Sequence, residues 1–207
     1  QGRAVSDIVI RRIGRTDFVP AWRAMQRFTA ERTAQTPDEL WLTEHPPVFT
    51  QGLAGKPEHL LRDLGIPVVN IDRGGQVTYH GPGQAVVYLL LDLSRRGLKV
   101  RQLVHRIEQA VIDLLADCGL RGERLAGAPG VYVDGAKVAA LGLRVRGGCC
   151  YHGVSLNVDM ELAPFSAINP CGYPGLKVTQ LRDLGVADGW EAAGEKLLAQ
   201  LKRQIEL

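Results

Sequence analysis

Long apolar runs, aromatic residues and cysteines are all scarce in this sequence of 207 residues. The longest uninterrupted apolar stretch, residues 85–91, has seven residues, whereas a helix that crosses a bilayer needs about 20. Aromatic residues make up 6% of the chain and the formal net charge is +3, so the sequence lacks the basic surface and stacking aromatics of a nucleic-acid binder. These absences predict a cytoplasmic protein that binds neither a membrane nor nucleic acid.

The four cysteines are too few and too irregularly spaced for a disulfide framework. They are Cys118, Cys149, Cys150 and Cys171, and reduced thiols are the expectation for such a set. His152 lies close to Cys149 and Cys150, but these three groups are one ligand short of a structural zinc site, and strand alternation would send them to opposite faces. We therefore expect no metal.

The residues that are abundant give an ordinary globular composition, 45% hydrophobic and 23% charged. No repeat or linker interrupts the chain, so one domain over residues 1–207 is the simpler interpretation. Apolar periodicity predicts strands at 7–13, 40–43, 48–51, 67–71, 84–93, 131–133, 136–145 and 149–158, and helices at 18–33, 58–64, 100–118 and 190–205. The predicted fold is α/β of the α+β type, with a mixed, hairpin-rich central sheet flanked by helices.

Glycine and proline concentrate in two loops. The first, residues 73–84, sets polar side chains and a histidine among residues that permit close backbone approach to a ligand, although two tight turns around a strand would explain it equally well. The second, residues 169–175, holds Cys171 between prolines and glycines. A thiol with a fixed position and nearby backbone amides suits a nucleophile and its oxyanion, whereas a structural cysteine is usually buried in an element.

A nucleophilic thiol needs a base or a cation beside it, because little thiolate forms at neutral pH. Lys137 follows the predicted Asp134-Gly135 turn, and strict alternation would direct it to the face of Ala139 and Leu141. Loss of hydration there would lower its pKa and suit it as a proton acceptor or as the partner of a thiolate. An exposed lysine at a strand end is the alternative. His80 is the rival base, since imidazole works near pH 7 without a shift.

With these residues assembled, the sequence resembles the lipoyl(octanoyl) transferases, which belong to the biotin/lipoate protein ligase-like superfamily. The resemblance covers nearly the whole chain and is carried by motifs at residues 45–50, 73–84, 135–142, 152–157 and 169–172. It implies that Cys171 takes the acyl group as a thioester and that Lys137 assists it. The substrate-binding residues that it implies are Arg73, Gly74, Gly75, Gln76, Val77, Thr78, Tyr79, His80, Ala140, Leu141, Gly142, Gly153, Val154 and Ser155.

The resemblance also implies the substrates. Octanoyl-acyl carrier protein would be the donor, and the acceptors would be lipoyl domains of 2-oxoacid dehydrogenase E2 subunits and the glycine cleavage H protein. No cofactor, metal or ATP is expected, because a thioester is already an activated acyl donor. Arg144 and Arg146 are candidates for a patch that attracts the acidic carrier, although exposed strand arginines are usually only solvated.

Two other functions stay open at this point. An ATP-dependent lipoate or biotin protein ligase would share the fold and the glycine-rich loop, but it has no need of a thiol at Cys171. A non-catalytic module that binds carrier proteins or lipoyl domains would recognise the same partners without ever becoming acylated.

Overall fold

A computed structural model describes residues 7–169 and 174–207. The strands in these ranges are β1 (Val9–Arg15), β2 (Glu39–Glu44), β3 (Val48–Gln51), β4 (Val68–Asn70), β5 (Val77–His80), β6 (Gln84–Asp92), β7 (Glu123–Leu125), β8 (Ala128–Val133), β9 (Ala136–Arg146) and β10 (Cys149–Asn157). The helices are α1 (Phe18–Ala30), α2 (Leu93–Arg96), α3 (Val100–Asp117) and α4 (Trp190–Ile205). No helix in these ranges is both long enough and apolar enough to cross a bilayer.

The strands form two sheets. The larger sheet has the order β1-β2-β6-β10-β9-β8-β7, with β1 and β2 parallel and its other neighbours antiparallel. The smaller sheet has the order β4-β3-β5, with β3 and β4 parallel. The predicted fold class, with a mixed and hairpin-rich central sheet flanked by helices, is therefore confirmed.

Strand β6 lies in the middle of the larger sheet because its side chains are apolar on both faces. Val87 and Leu89 join the hydrophobic cluster that α3 and α4 cover, while Val86, Tyr88 and Leu90 join the cluster beneath α1. This two-residue alternation sends Val86 and Tyr88 to the face that carries the candidate site described below.

The predicted hairpin between β8 and β9 is confirmed. Its two turn residues, Asp134 and Gly135, have φ values of +49° and +81°, as a two-residue turn of type I′ requires. The turn fixes the start of β9 and with it the position of Lys137.

The helix predicted at residues 58–64 is wrong. Only a 3₁₀ turn, Pro57–His59, forms there, and the following residues pair with a distant segment: Leu60 forms a bridge with Ile168, and the Leu61 amide donates to the Ala167 carbonyl at 2.8 Å. Leu61 is 52% exposed, so a helix here would have no apolar face to bury. Strands β5 and β7 and helix α2 are additional to the elements predicted from periodicity.

Candidate active site

A buried arginine anchors the loop between β4 and β5. Arg73 donates from Nη2 to the carbonyl oxygen and to Oγ1 of Thr50 in β3, each at 2.9 Å. The next residue, Gly74, donates its amide to the carbonyl of Leu143 in β9 at 3.0 Å. A Cβ on Gly142 would lie 3.0 Å from Cδ of Arg73, so glycine allows β9 to pass this close to the arginine. The loop thus joins the two sheets.

A cavity of about 290 Å³ opens beside this loop, near the lower end of the usual range for small-molecule pockets, about 300 to 1,000 Å³. Residues from both sheets line it, and most of them are among the predicted binding residues. The predicted binding residues that line the cavity are Arg73, Gly75, Gln76, Thr78, His80, Ala140, Leu141, Gly142, Gly153, Val154 and Ser155.

Three of the predicted binding residues do not line the cavity. Val77 and Tyr79 alternate with Thr78 and His80 along β5, so their side chains turn to the opposite face, where both join a separate hydrophobic cluster. Gly74 supports the loop through its bond to β9. The prediction took residues 77–80 as one continuous binding segment, although alternate side chains of a strand face away from the cavity.

Sequence reasoning also missed part of the cavity wall. The additional lining residues are Phe18, Ala54, Ile71, Val86, Tyr88, Pro129 and His152. Most of them come from elements far apart in sequence, which only the folded sheet brings together. Two signals could have selected three of them. His152 lies in the motif at residues 152–157, and strand alternation places Val86 and Tyr88 on one face of the predicted central strand.

Lys137 is buried next to the cavity, with 3% of its surface exposed. A small recess is lined by Lys137 and Asn157, together with Thr78, Ala140 and Ser155, which also line the main cavity. The lysine Nζ lies 5.8 Å from the centre of the Tyr132 ring. On the other side, a Cβ on Gly130 would lie 2.5 Å from the lysine Cε. The amino group of Lys137 is therefore held beside a recess that has wall residues in common with the main cavity.

The backbone of Lys137 pairs with the segment that follows the cysteine loop. Its amide donates to the Lys177 carbonyl, and its carbonyl accepts from the Thr179 amide, both at 2.8 Å. Before the loop, the Asn169 amide donates to the His59 carbonyl at 3.0 Å. Cys171, the predicted nucleophile, lies in residues 170–173, outside the described residues.

His80, the rival base, forms part of the cavity wall. Its Nδ1 lies 2.7 Å from Oε1 of Gln84 and its ring stacks on Phe18 at 6.1 Å. Burial, assisted by the neighbouring His45, lowers the pKa of His80 to about 3. The ring is therefore neutral at pH 7, and its bond to the Gln84 oxygen assigns the proton to Nδ1.

Tyr88 is held on the cavity wall by His45. Nδ1 of His45 lies 2.6 Å from the Thr16 carbonyl, which requires a proton on that nitrogen, so Nε2 accepts from the Tyr88 hydroxyl at 2.6 Å. Burial lowers the pKa of His45 and raises that of Tyr88, which keeps both groups neutral. The pair contributes rigidity rather than charge.

Asp72, just before Arg73, orients His152 against the cavity. Its carboxylate accepts from Nε2 of His152 at 2.8 Å, from Nε1 of Trp22 at 2.8 Å and from the Tyr151 hydroxyl. Burial alone would raise the pKa of Asp72, but these hydrogen bonds outweigh it and hold the pKa well below its usual value. His152 has φ +66°, an uncommon conformation outside glycine, and the Asp72 bond helps to fix it there.

The two predicted carrier-binding arginines lie far from the lysine. Arg146 ends β9 nine residues after Lys137, which is roughly 30 Å at about 3.3 Å per residue. Arg146 is exposed and Arg144 is half-buried.

Comparison with known proteins shows which family this chain belongs to. The family model of the lipoyl protein ligase A/B catalytic domain matches residues 17–202. The chain belongs to this family. The resemblance inferred from the motifs is confirmed.

Within the family, the chain is similar to octanoyltransferases. It is 66% identical over 198 residues to the octanoyltransferase of Dechloromonas aromatica, covering 96% of this chain and 97% of the relative. It is 62% identical over 197 residues to that of Chromobacterium violaceum, covering 95% of each. Relatives at this level of identity make the chain an acyltransferase.

A solved structure supports the fold at much lower identity. The bi-partite lipoate protein ligase of Thermoplasma acidophilum superposes with a TM-score of 0.76 at 14% identity, covering 97% of this chain and 84% of the ligase. At this identity the likeness concerns the fold alone. The ligase alternative therefore gains no support beyond a common architecture.

Proposed function

We propose that this chain, as one catalytic domain, transfers an octanoyl group from octanoyl-acyl carrier protein to the ε-amine of a lysine on lipoyl domains. The acyl group passes through a thioester on Cys171, with Lys137 as the proton acceptor and without ATP. The acceptors are the lipoyl domains of 2-oxoacid dehydrogenase E2 subunits and the glycine cleavage H protein.

The observation that carries the proposal is the burial of Lys137 at the edge of a cavity that is lined mostly by residues of the family motifs. Residues from the loop at 73–84 and from strands β9 and β10 line this cavity, and the lysine recess has wall residues in common with it. The segment beyond Cys171 pairs with the backbone of the same lysine. These contacts support the assignment of Lys137 as the base and of the cavity as the acyl slot.

The reaction proceeds in two acyl transfers. Lys137 takes the proton of the Cys171 thiol, and the thiolate attacks the carbonyl carbon of the octanoyl thioester. The bond to the carrier sulfur breaks, and the carrier leaves as its thiol after taking the proton from Lys137. The lysine amine of the lipoyl domain then attacks the acyl-enzyme, loses a proton to Lys137 and forms an amide. The bond from the acyl carbon to the Cys171 sulfur breaks, and Lys137 passes its proton to the departing thiolate, which regenerates the Cys171 thiol.

Binding and backbone amides supply what the reaction needs beyond proton transfer. Each methylene of the acyl chain that is buried in the cavity contributes about 0.8 kcal/mol. In β9, the carbonyl of Leu143 is directed to the 73–84 loop rather than to β10, since it accepts from Gly74. Strand alternation directs the backbone of Leu141 to the same side, which makes its amide a better oxyanion donor than that of Gly142.

The test is octanoyl transfer to a lipoyl domain from octanoyl-carrier in the absence of ATP, followed by mass spectrometry of the acceptor. We expect full transfer by the wild type and none by Cys171→Ala. Transfer that requires ATP and free octanoate would establish the ligase alternative. Tight binding of the carrier without modification of any acceptor would establish the alternative of a non-catalytic binding module.

A further inference from the structure

Two buried amide side chains connect the cavity wall to the segment beside Lys137. Gln84 at the start of β6 is 1% exposed, and Asn157 at the end of β10 is 4% exposed. Both lie in family motifs, yet neither is needed as an acid, a base or a nucleophile in the proposed reaction. Their hydrogen bonds indicate a different role.

The amide groups form a directed chain. Nε2 of Gln84 donates to the Tyr79 carbonyl at 3.1 Å and to Oδ1 of Asn157 at 3.0 Å. Its Oε1 is thereby left to accept from Nδ1 of His80 at 2.7 Å. With its oxygen occupied, Asn157 donates Nδ2 to the Thr179 carbonyl at 3.1 Å. Each bond fixes the orientation of the next amide.

The last bond of this chain holds the segment that pairs with the lysine. The amide of Thr179 donates to the carbonyl of Lys137 at 2.8 Å, while the Asn157 carbonyl accepts from the Leu181 amide at 3.1 Å. Asn157 therefore forms hydrogen bonds to residues 179 and 181, one through its side chain and one through its backbone. This segment is the one that leads out of the Cys171 loop.

We propose that Asn157, oriented by Gln84, is a positioning residue that sets the register between Lys137 and the chain carrying Cys171. This inference rests on the proposed function, because it deepens the account of the same site. Without the side-chain bond, the Thr179 carbonyl loses its partner in β10, which leaves the backbone bonds of residues 177 and 179 to Lys137 to set the register. Small misplacements of reacting groups of about 1 Å cost about 100-fold in rate.

The chain itself offers a matched control. Gln180 is the next residue after Thr179 and is 2% exposed, but its amide bonds the Met160 amide and Asp183 instead. Replacing it removes an equally buried amide from the same segment without touching the bonds to Asn157. A purely structural role would make Asn157 and Gln180 equivalent.

The test compares Asn157→Leu, Asn157→Asp and Gln180→Met with a small octanoyl thioester as donor. We expect both Asn157 variants to lower kcat about 100-fold with KM within about threefold, because the acyl cavity is intact. Asn157→Asp should lower kcat as much as Asn157→Leu does, because a carboxylate cannot donate a hydrogen bond to the Thr179 carbonyl. Gln180→Met should lower the melting temperature with kcat within about threefold of the wild type.

A second measurement separates positioning from loss of structure. The pH dependence of Cys171 alkylation by iodoacetamide reports how well Lys137 assists the thiol. We expect Asn157→Leu to shift this profile in the same direction as Lys137→Ala, and Gln180→Met to leave it unchanged. If Asn157→Leu does not fold, Gln84→Met should show the same shift at smaller size. This variant removes the orienting bond to Asn157 together with the bonds to the Tyr79 carbonyl and to His80, but it leaves the bond between Asn157 and Thr179 in place.

Equal losses of kcat in the Asn157 and Gln180 variants would overturn the inference, as would an alkylation profile that is identical in all of them. An inactive wild type would instead refute the proposed function itself. The two failures are thereby distinguishable.

Discussion

Two regions of the molecule bury charge, and they do so in different ways. At one, Asp38 is fully buried and accepts from the guanidinium groups of Arg32, Arg95 and Arg96 at 2.5 to 2.8 Å. At the other, Lys137 lies between an aromatic ring and the edge of an open cavity. The first cluster is packed around its charge, whereas the second borders a space that a substrate can enter.

The difference teaches how burial relates to function. Three arginines around one carboxylate tie residues 32–38 to helix α2 and the end of β6, which is a structural task. The buried amino group of Lys137 instead lies beside a cavity that is large enough for part of a substrate. Removal of the Asp38 carboxylate should therefore lower stability, whereas removal of the Lys137 amino group should lower activity.

The largest expected effect is the loss of activity when Lys137 is replaced. Lys137→Met replaces the lysine amino group with an apolar chain of similar length, so the cavity wall persists but the proton acceptor is lost. Because general base catalysis contributes about 10²- to 10⁴-fold, kcat should fall by that factor in a steady-state transfer assay. Calorimetry on the same sample should show a melting temperature no lower than that of the wild type, and a variant with normal kcat would remove Lys137 from the mechanism.

The carboxylate should behave in the opposite way. Asp38→Ala leaves three guanidinium groups around an uncompensated site, and breaking a buried ion pair typically costs about 3 to 5 kcal/mol. Urea denaturation should show this loss of unfolding free energy. Activity per folded molecule, measured well below the melting temperature, should stay near that of the wild type; a selective loss of kcat would contradict the comparison.

The same cluster predicts an acid dependence. Burial alone would raise the pKa of Asp38, but its bonds to the Asp92 amide and to the arginines outweigh this and lower it. A lowered pKa in the folded state means that the stabilisation is complete above the unfolded pKa of about 3.9 and is lost as the pH falls through the folded value. Wild-type stability should thus decline below about pH 5, and less steeply in Asp38→Asn.

A smaller effect concerns the length of the donor chain. A hexanoyl thioester has two methylenes fewer than an octanoyl thioester and buries correspondingly less surface in the cavity. At about 0.8 kcal/mol for each methylene, kcat/KM should fall about 15-fold for the shorter donor. Equal kcat/KM values for the two small thioesters would mean that the cavity of about 290 Å³ does not hold the acyl tail.

The smallest effect concerns carrier docking. Arg146→Ala removes an exposed charge roughly 30 Å along β9 from the lysine, so KM for the octanoyl-carrier should change by less than about fivefold. Higher salt should raise this KM more than the KM of a small octanoyl thioester. Identical salt responses would exclude an electrostatic contribution to carrier binding.

Much of the fold could be predicted from the sequence where local pattern and tertiary packing agree. The apolar stretch of β6, the amphipathic α3 and the Asp134-Gly135 hairpin each carry their own signal. The helix predicted at residues 58–64 is wrong because Leu60 and Leu61 form backbone pairs with a segment about 100 residues later. No local stretch of sequence contains both segments.

The candidate site was predictable only in part. The motifs select Arg73, Lys137 and Ser155, but they do not say which side of β5 faces the cavity, and so Val77 and Tyr79 were included. Phe18 was missed because its contact with His80 joins residues about 60 positions apart, which no local pattern reveals. The bond between Asp72 and His152 likewise depends on tertiary contacts and not on spacing.

The central claim is that a thioester on Cys171 carries the acyl group with help from Lys137. The most direct test is rapid mixing with octanoyl-carrier without ATP, acid quench, intact-mass measurement and peptide mapping. We predict one hydroxylamine-sensitive octanoyl group on the peptide containing Cys171, formed much more slowly in Lys137→Met. A stoichiometric octanoyl group on Cys171→Ala, or equal rates with and without the lysine, would contradict the account.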